Sequence, residues 1–213
     1  MIRRLPEERR QAMMEELDFF GLETAVFGVA PWFENAMFSA GPSLNDGRSD
    51  FGLAQSGHHV FVFGGYSGRR RLNTTEMLDI ETGAFTQGPD MLSSRGGCTA
   101  VSIDKHRIPV IGGSGRSGNY LNTTEIFDIN TRSFTPGPNL LHRRIYCAAV
   151  ALDARRILVV GGYDGSHRLA TTEVLNVETM TATTGPNLSC VRDECTAVRL
   201  DTRRIVVIGG VNG

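Results

Sequence analysis

An all-β repeat fold, a β-propeller of four-stranded blades, is what this sequence predicts, and three observations predict it. First, an apolar run closed by a glycine pair occurs four times, over residues 59–63, 107–111, 156–160 and 204–208, and the first glycines (Gly64, Gly112, Gly161, Gly209) are 48, 49 and 48 residues apart. Second, Gly-Pro recurs at 41, 88, 137 and 185, and Thr-Thr-Glu at 74, 123 and 171. Third, arginine recurs at 48, 95, 144 and 192, each three residues before Phe51, Cys98, Cys147 or Cys195. A fixed period of this length marks a fold whose units bury their apolar faces on their neighbours.

Each unit then reads as four short strands. The first follows the arginine, as in Cys98-Thr99-Ala100-Val101, and Asp104, Asp153 and Asp201 mark the turn that leaves it. The second is the Gly-Gly run, apolar on both faces, as expected of a strand packed between two sheets. The third opens at Thr-Thr-Glu and alternates, with Leu78 and Ile80 on one face and Asp79 on the other. The fourth is brief (Ala84-Phe85-Thr86, Ser133-Phe134-Thr135, residues 181–184) and is stopped by Gly-Pro. Residues 48–92, 95–141 and 144–189 make three full units and 192–213 half of a fourth. The segment around Met37 and Phe38 is an isolated fourth strand that could join that half and close a ring. The unit count favours a piece of a longer propeller over a closed four-bladed ring.

Ahead of the repeats, residues 2–20 are expected to form an amphipathic helix, with Leu5, Met13 and Leu17 on one face, Pro6 in the first turn and Gly21 as a stop. Residues 24–33 follow as an apolar linker. This divides the chain into a helical segment and linker, 1–33, and a repeat array, 34–213.

Composition narrows the function. Of the 213 residues 40% are hydrophobic and 25 are glycine, which fits a turn-rich globular protein. A formal charge of -1 predicts neither a nucleic-acid partner nor a membrane surface. No apolar run approaches the roughly 20 residues of a spanning helix, and the N-terminus lacks the apolar core of a secretory signal. A cytoplasmic protein is the expectation. Cys98, Cys147 and Cys195 share one repeat position and read as small buried side chains, while Cys190 stands outside the register. They offer no closely spaced metal ligands, and the five histidines have none either, so neither metal nor cofactor is expected. Residues 113–118 fit GxGxxG but lead into a strand, where pyrophosphate binding needs a helix. Asn73 and Asn122 head glycosylation patterns that matter only in a secreted chain. Glu76, Glu125 and Glu173 share a face with buried side chains, and their repetition points to a structural hydrogen bond in every unit rather than a general base.

Gly161-Gly162-Tyr163-Asp164-Gly165, followed by Thr172-Glu173, is similar to the kelch repeat: an apolar strand, Gly-Gly, a polar loop, a hydroxyl-bearing residue with glutamate, then a closing aromatic. The resemblance covers about residues 34–213. It departs from the usual strand-three tyrosine at Leu78, Phe127 and Leu175, and from the strand-four tryptophan at Phe85, Phe134 and Thr183, where weaker packing is expected. Residues 14–23, Leu17 to Phe20 with Gly21-Leu22, resemble the last helix of the BTB domain of the potassium-channel-tetramerisation type.

The kelch resemblance implies a non-enzymatic module that binds a protein or peptide. In kelch domains that recruit partners, arginines before the first strand and tyrosine or serine after Gly-Gly line the recognition face. Carried over, this implies Arg48, Arg95, Arg144, Arg192, Tyr66, Ser67, Ser114, Arg116, Tyr163 and Asp164, and an acidic or hydroxyl-rich peptide, since arginine pairs bidentately with carboxylates. Arginines that pin their blades through backbone carbonyls are the other reading. Loss of partner capture in Arg95→Ala with Arg144→Ala, without unfolding, is the expectation that separates the two. The BTB resemblance implies a substrate adaptor for a cullin-type ubiquitin ligase. The alternative is a kelch-type enzyme such as a copper sugar oxidase, which would need converging tyrosine, histidine and cysteine.

Overall fold

The computed structural model describes residues 41–212. The helix expected over 2–20 and the linker over 24–33 lie outside the described residues. Strands β1 (Gly52–Ser56), β2 (His59–Phe63), β3 (Thr75–Asp79) and β4 (Ala84–Gln87) form the first sheet. The second holds β5 (Thr99–Ala100), β6 (Arg107–Ile111), β7 (Thr124–Asp128) and β8 (Ser133–Pro136), and the third β9 (Ala148–Ala151), β10 (Arg156–Val160), β11 (Thr172–Asn176) and β12 (Thr181–Thr184). A two-stranded sheet, β13 (Asp193–Arg199) and β14 (Ile205–Val211), follows. Each sheet is an antiparallel meander in chain order, and the first strands β1, β5, β9 and β13 lie side by side. The sheets are therefore blades arranged about a common axis, as expected of a propeller.

The faces between blades supply the core. Phe61, Phe63, Ile108, Val110, Phe127 and Phe134 pack between the first and second blades, with Phe63 and Phe134 edge to face at 6.0 Å. Ile111, Ile126, Cys147, Ile157, Val159 and Leu175 fill the junction of the second and third. Ile108, Ile157, Val159 and Leu175 are wholly buried, each worth about 1.5–3 kcal/mol of transfer free energy. A lone sheet would leave these side chains in water, so each blade depends on its neighbour.

Two details depart from the sequence reading. Strand β6 carries a proline at its centre, Pro109, whose carbonyl accepts from the Val101 amide of the first-strand side. In an antiparallel pair the N–H of that same residue would point the same way, and proline has none. One rung of the ladder is lost there, although the Ile103 amide still donates to the Arg107 carbonyl at 3.2 Å, and β5 is two residues long where β1 has five. The closing aromatic position of the third blade is also Ala182 rather than Thr183, because Ala182 faces Leu175 as Phe85 faces Leu78 and Phe134 faces Phe127.

The repeated polar residues explain one another. Arg95 donates from Nη1 to the carbonyls of Gly112 and Thr123 at 2.9 and 2.8 Å, from Nη2 to Thr123 Oγ1 at 2.9 Å, and from Nε to Glu125 Oε1 at 3.0 Å. Arg144 makes the same set with Gly161, Thr171 and Glu173, and Arg48 bonds Gly64, Thr74 and Glu76 through its Nη atoms. The other oxygen of each glutamate accepts backbone amides of the loop before the arginine: Asn45, Leu92 and Leu141 at 2.6–2.7 Å. The second threonine ties the exit of the fourth strand, with Thr75, Thr124 and Thr172 Oγ1 donating to the carbonyls of Pro89, Pro138 and Pro186. Thr-Thr-Glu is thus a clamp in which the first threonine and the glutamate hold arginine and the second threonine holds the turn.

The glycine pair joins blade to blade. The amides of Gly65, Gly113 and Gly162 donate to the carbonyls of Arg95, Arg144 and Arg192 of the following blade, at 2.8–2.9 Å. The first glycine of the pair is left-handed, with φ of 61° at Gly64, 62° at Gly112 and 61° at Gly161. A Cβ there would sit 2.3–2.4 Å from that same arginine carbonyl. Gly112→Ala is therefore expected to cost about 3 kcal/mol or more from backbone strain and overlap, read as a lowered chemical-denaturation midpoint. Arg144→Ala, which strands a buried carboxylate, is expected to cost about 3–5 kcal/mol, and Arg144→Lys should not restore it, because one ammonium cannot reproduce the fork.

Candidate functional site

Beyond the glycine pairs the blades continue as short three-stranded caps. Isolated bridges link Ser49 with Tyr66 and Tyr66 with Arg71, Gly96 with Ser114 and Ser114 with Tyr120, and Ile145 with Tyr163 and Tyr163 with Arg168. The last residue of each cap crosses to the next blade. Arg71 Nε donates to Ser114 Oγ at 2.5 Å, Arg168 Nε pairs with Asp193 Oδ1 at 2.8 Å, and Tyr120 meets Tyr163 edge to face at 5.8 Å.

A second linkage lies closer to the axis. The Gly97 amide donates to the Asp50 carbonyl, the Tyr146 amide to Gly97 and the Glu194 amide to Tyr146, at 2.7, 2.9 and 2.9 Å. These four positions, each two residues after a repeat arginine, are all left-handed, with φ of 54°, 67°, 56° and 54°. Glycine accepts that conformation freely, while aspartate, tyrosine and glutamate adopt it at a cost of order 1–3 kcal/mol, a pattern associated with binding sites. Asp50 and Tyr146 both face clefts at this end of the molecule.

Two clefts adjoin through Arg71 and Tyr146. One, of about 490 Å³, is lined by Tyr120, Ile145, Tyr163, Ser166, Arg168 and Asp193 together with those two. The other, of about 260 Å³, adds Asp50, Tyr66, Gly96 and Ser114. All four tyrosines of the chain therefore converge here. Burial first, then the charges of Asp50 and Glu194, push the Tyr146 phenol above its ordinary value, so it stays a neutral donor at pH 7. Arg168 is matched by Asp193, whereas the polar partner of Arg71 is a neutral hydroxyl. A smaller crevice of about 250 Å³, lined by Phe61, Met77, Phe127 and Ile129, lies elsewhere, in the apolar junction of the first two blades.

The residues expected from the sequence divide accordingly. Tyr66, Ser114 and Tyr163 line the clefts. Ser67 closes a turn through the Arg70 carbonyl, and Asp164 Oδ1 accepts from the amides of Ser166 and His167, whose bonds, His167 first, hold its carboxyl below the usual range. Arg116 is exposed on the loop after Ser114. Arg48, Arg95 and Arg144 have side chains 0, 1 and 0% exposed, with their donors committed inside the blade. Of the two roles left open above, the geometry gives them the pinning one: a guanidinium so enclosed has no donor to offer a visitor. Arg192, half-buried, reaches Gly209 O and Cys190 Sγ. The expected structural role of Glu76, Glu125 and Glu173 is the one observed. Sequence reasoning missed Asp50, Arg71, Tyr120, Tyr146 and Arg168. The signal available was position: Arg71, Tyr120 and Arg168 each precede a repeat leucine, Leu72, Leu121 or Leu169.

Among the described residues no three His, Cys, Asp or Glu side chains are grouped to hold a metal ion, and no helix is long and apolar enough to cross a membrane. Radial four-stranded sheets clamped by a buried arginine and capped by glycine-pair loops define a β-propeller of the repeat-motif type. The kelch motif model matches residues 47–92, 94–141 and 144–181, and the chain belongs to the kelch family. No curated protein matches it. The coarse function that follows is a protein-interaction module.

The buried thiols make a direct check of this geometry. Desolvation pushes Cys98 up to about 11 and Cys147 up to about 12, outweighing the neighbouring Arg95 and Arg144, so neither supplies thiolate near neutrality. Iodoacetamide at pH 8 is expected to label Cys190 first and to leave Cys98 and Cys147 unmodified until denaturant is added, as read by peptide mass mapping.

Proposed function

We propose that this chain recognises a protein partner, without catalysis, by taking an extended acidic peptide across the tyrosine-lined end of the propeller. The observation that carries the reading is the convergence of Tyr66, Tyr120, Tyr146 and Tyr163 around Arg71, a cation whose polar partner is a hydroxyl. Tyrosine and arginine are enriched among the few residues that carry most interface energy, since they bury large surface and keep directional donors. A carboxylate of the peptide would take the donors of Arg71 that Ser114 leaves, beside the Tyr146 phenol. Arg116, Ser67 and Asp164 sit on the surrounding loops and would contact flanking peptide.

The resemblance of residues 14–23 to a BTB helix supports a further step. Joined to such a domain, the propeller would be the substrate-recognition arm of a cullin-type ubiquitin ligase adaptor in the cytoplasm. That step rests on those ten residues alone.

Selection of displayed random peptides against the folded chain tests the core of the proposal. The expected outcome is a consensus rich in aspartate or glutamate whose binding falls about tenfold or more in Arg71→Ala and in Tyr66→Ala, with thermal midpoints essentially unchanged. Peptides without acidic residues, or binding indifferent to both substitutions, would overturn it.

A further inference from the structure

We propose that the crevice between the first and second blades is a binding site for a small aromatic carboxylate, an aryl ring joined to an acid by a short chain. It shares no lining residue with the tyrosine-lined clefts except through the blades that carry both, and the proposal stands apart from the reading above. Both of its walls are four-stranded blades, so the space lies inside the repeat array.

The crevice holds about 250 Å³. Phe61 and Met77, paired across β2 and β3, form the first-blade wall, and Phe127 and Ile129 face them from the second blade. The Phe61 and Phe127 rings meet at 5.4 Å with a 60° tilt. Such walls suit a further ring, because aromatic groups pack edge to face at this spacing and the Met77 thioether adapts to its neighbours. The volume is below the roughly 300 Å³ at which drug-sized pockets begin, which limits the occupant to a single ring with a short tail.

The second junction closes over its own side chains. There Ile126 and Val177 take the places of Met77 and Ile129, and both are buried, whereas Met77 and Ile129 are only partly so. Polar groups mark the open side of the first junction: Gln87 and Arg132 are exposed and His59 is half-buried. Among the described residues these three side chains have no hydrogen-bond or ion-pair partner. Glu76, also in the lining, is committed, with Oε1 on Arg48 Nη2 and Oε2 on the Asn45 amide, both at 2.7 Å. Uncommitted donors above an apolar floor favour a ligand whose polar end is an anion.

Arg132 is not demanded by its own turn. Asp128 Oδ1 builds that turn by accepting from the amides of Asn130 and Thr131, as the side chains of Asp79 and Asn176 do in theirs. The fourth position after each is left-handed, with φ of 67° at Gly83, 52° at Arg132 and 57° at Met180. This backbone suits glycine. Of the three side chains, the cation is the one that borders the crevice.

The probe is phenylbutyrate, with its neutral amide, phenylbutyramide, as control. An NMR titration of the folded chain is expected to show saturable binding of the acid, with Overhauser contacts from its ring protons to the Met77 methyl. The amide should bind about fivefold or more weakly. Arg132→Gly installs the residue found at Gly83, so the thermal midpoint should hold while affinity for the acid falls to that of the amide. Arg132→Met, the third-blade residue, should show the same loss and guards against a folding defect in the glycine variant. No saturation at millimolar probe, equal affinity of acid and amide, undiminished binding of the acid in both variants, or contacts to Tyr120 or Tyr146 in place of Met77 would each overturn the proposal.

Discussion

Everything in this propeller depends on a guanidinium removed from water. Burying such a charge costs several kcal/mol before any bond is made, and the interaction is stabilising only if every donor finds an acceptor. At Arg95 and Arg144 the fork spans two carbonyls, a hydroxyl and a carboxylate. The carbonyl of the same residue accepts from the glycine pair of the preceding blade. One residue therefore ties its own second and third strands together and joins them to the neighbour. The requirement for Thr-Thr-Glu, and for a residue without Cβ at Gly64, Gly112 and Gly161, follows from that single geometry.

This constraint also explains why recognition chemistry falls elsewhere. Side chains that recur at the repeat period are the ones each blade needs, and their donors are consumed. What varies between blades lies past the glycine pair and two residues after each arginine. There Asp50, Gly97, Tyr146 and Glu194 hold one backbone conformation with four different side chains. A shared scaffold with changing side chains is how a repeat fold gains a specific surface, since loops on a rigid frame vary at little cost to the core.

The neighbouring blades share their apolar load unequally. The first junction is aromatic, with Phe61, Phe63, Phe127 and Phe134, and the second aliphatic, around Ile157, Val159 and Leu175. Both bury apolar side chains face to face, so volume matters more than residue type at these positions. Pro109 shows the limit of that tolerance: its side chain packs well, but its missing N–H shortens β5.

The sequence alone determined the repeat, the four strands of each unit and the structural nature of Glu125 and its counterparts, because period and alternation are local properties of a chain. Tyr66, Ser114 and Tyr163 were legible for the same reason, being fixed offsets from a glycine pair. Only the tertiary structure decided that the arginines point inward, since a strand pattern says which residues alternate but not which blade encloses a long side chain. It alone brought Arg71 to Ser114 and Tyr120 to Tyr163, residues 43 apart in each pair, because those contacts cross from one blade to the next and the positions that make them hold different residue types in different blades.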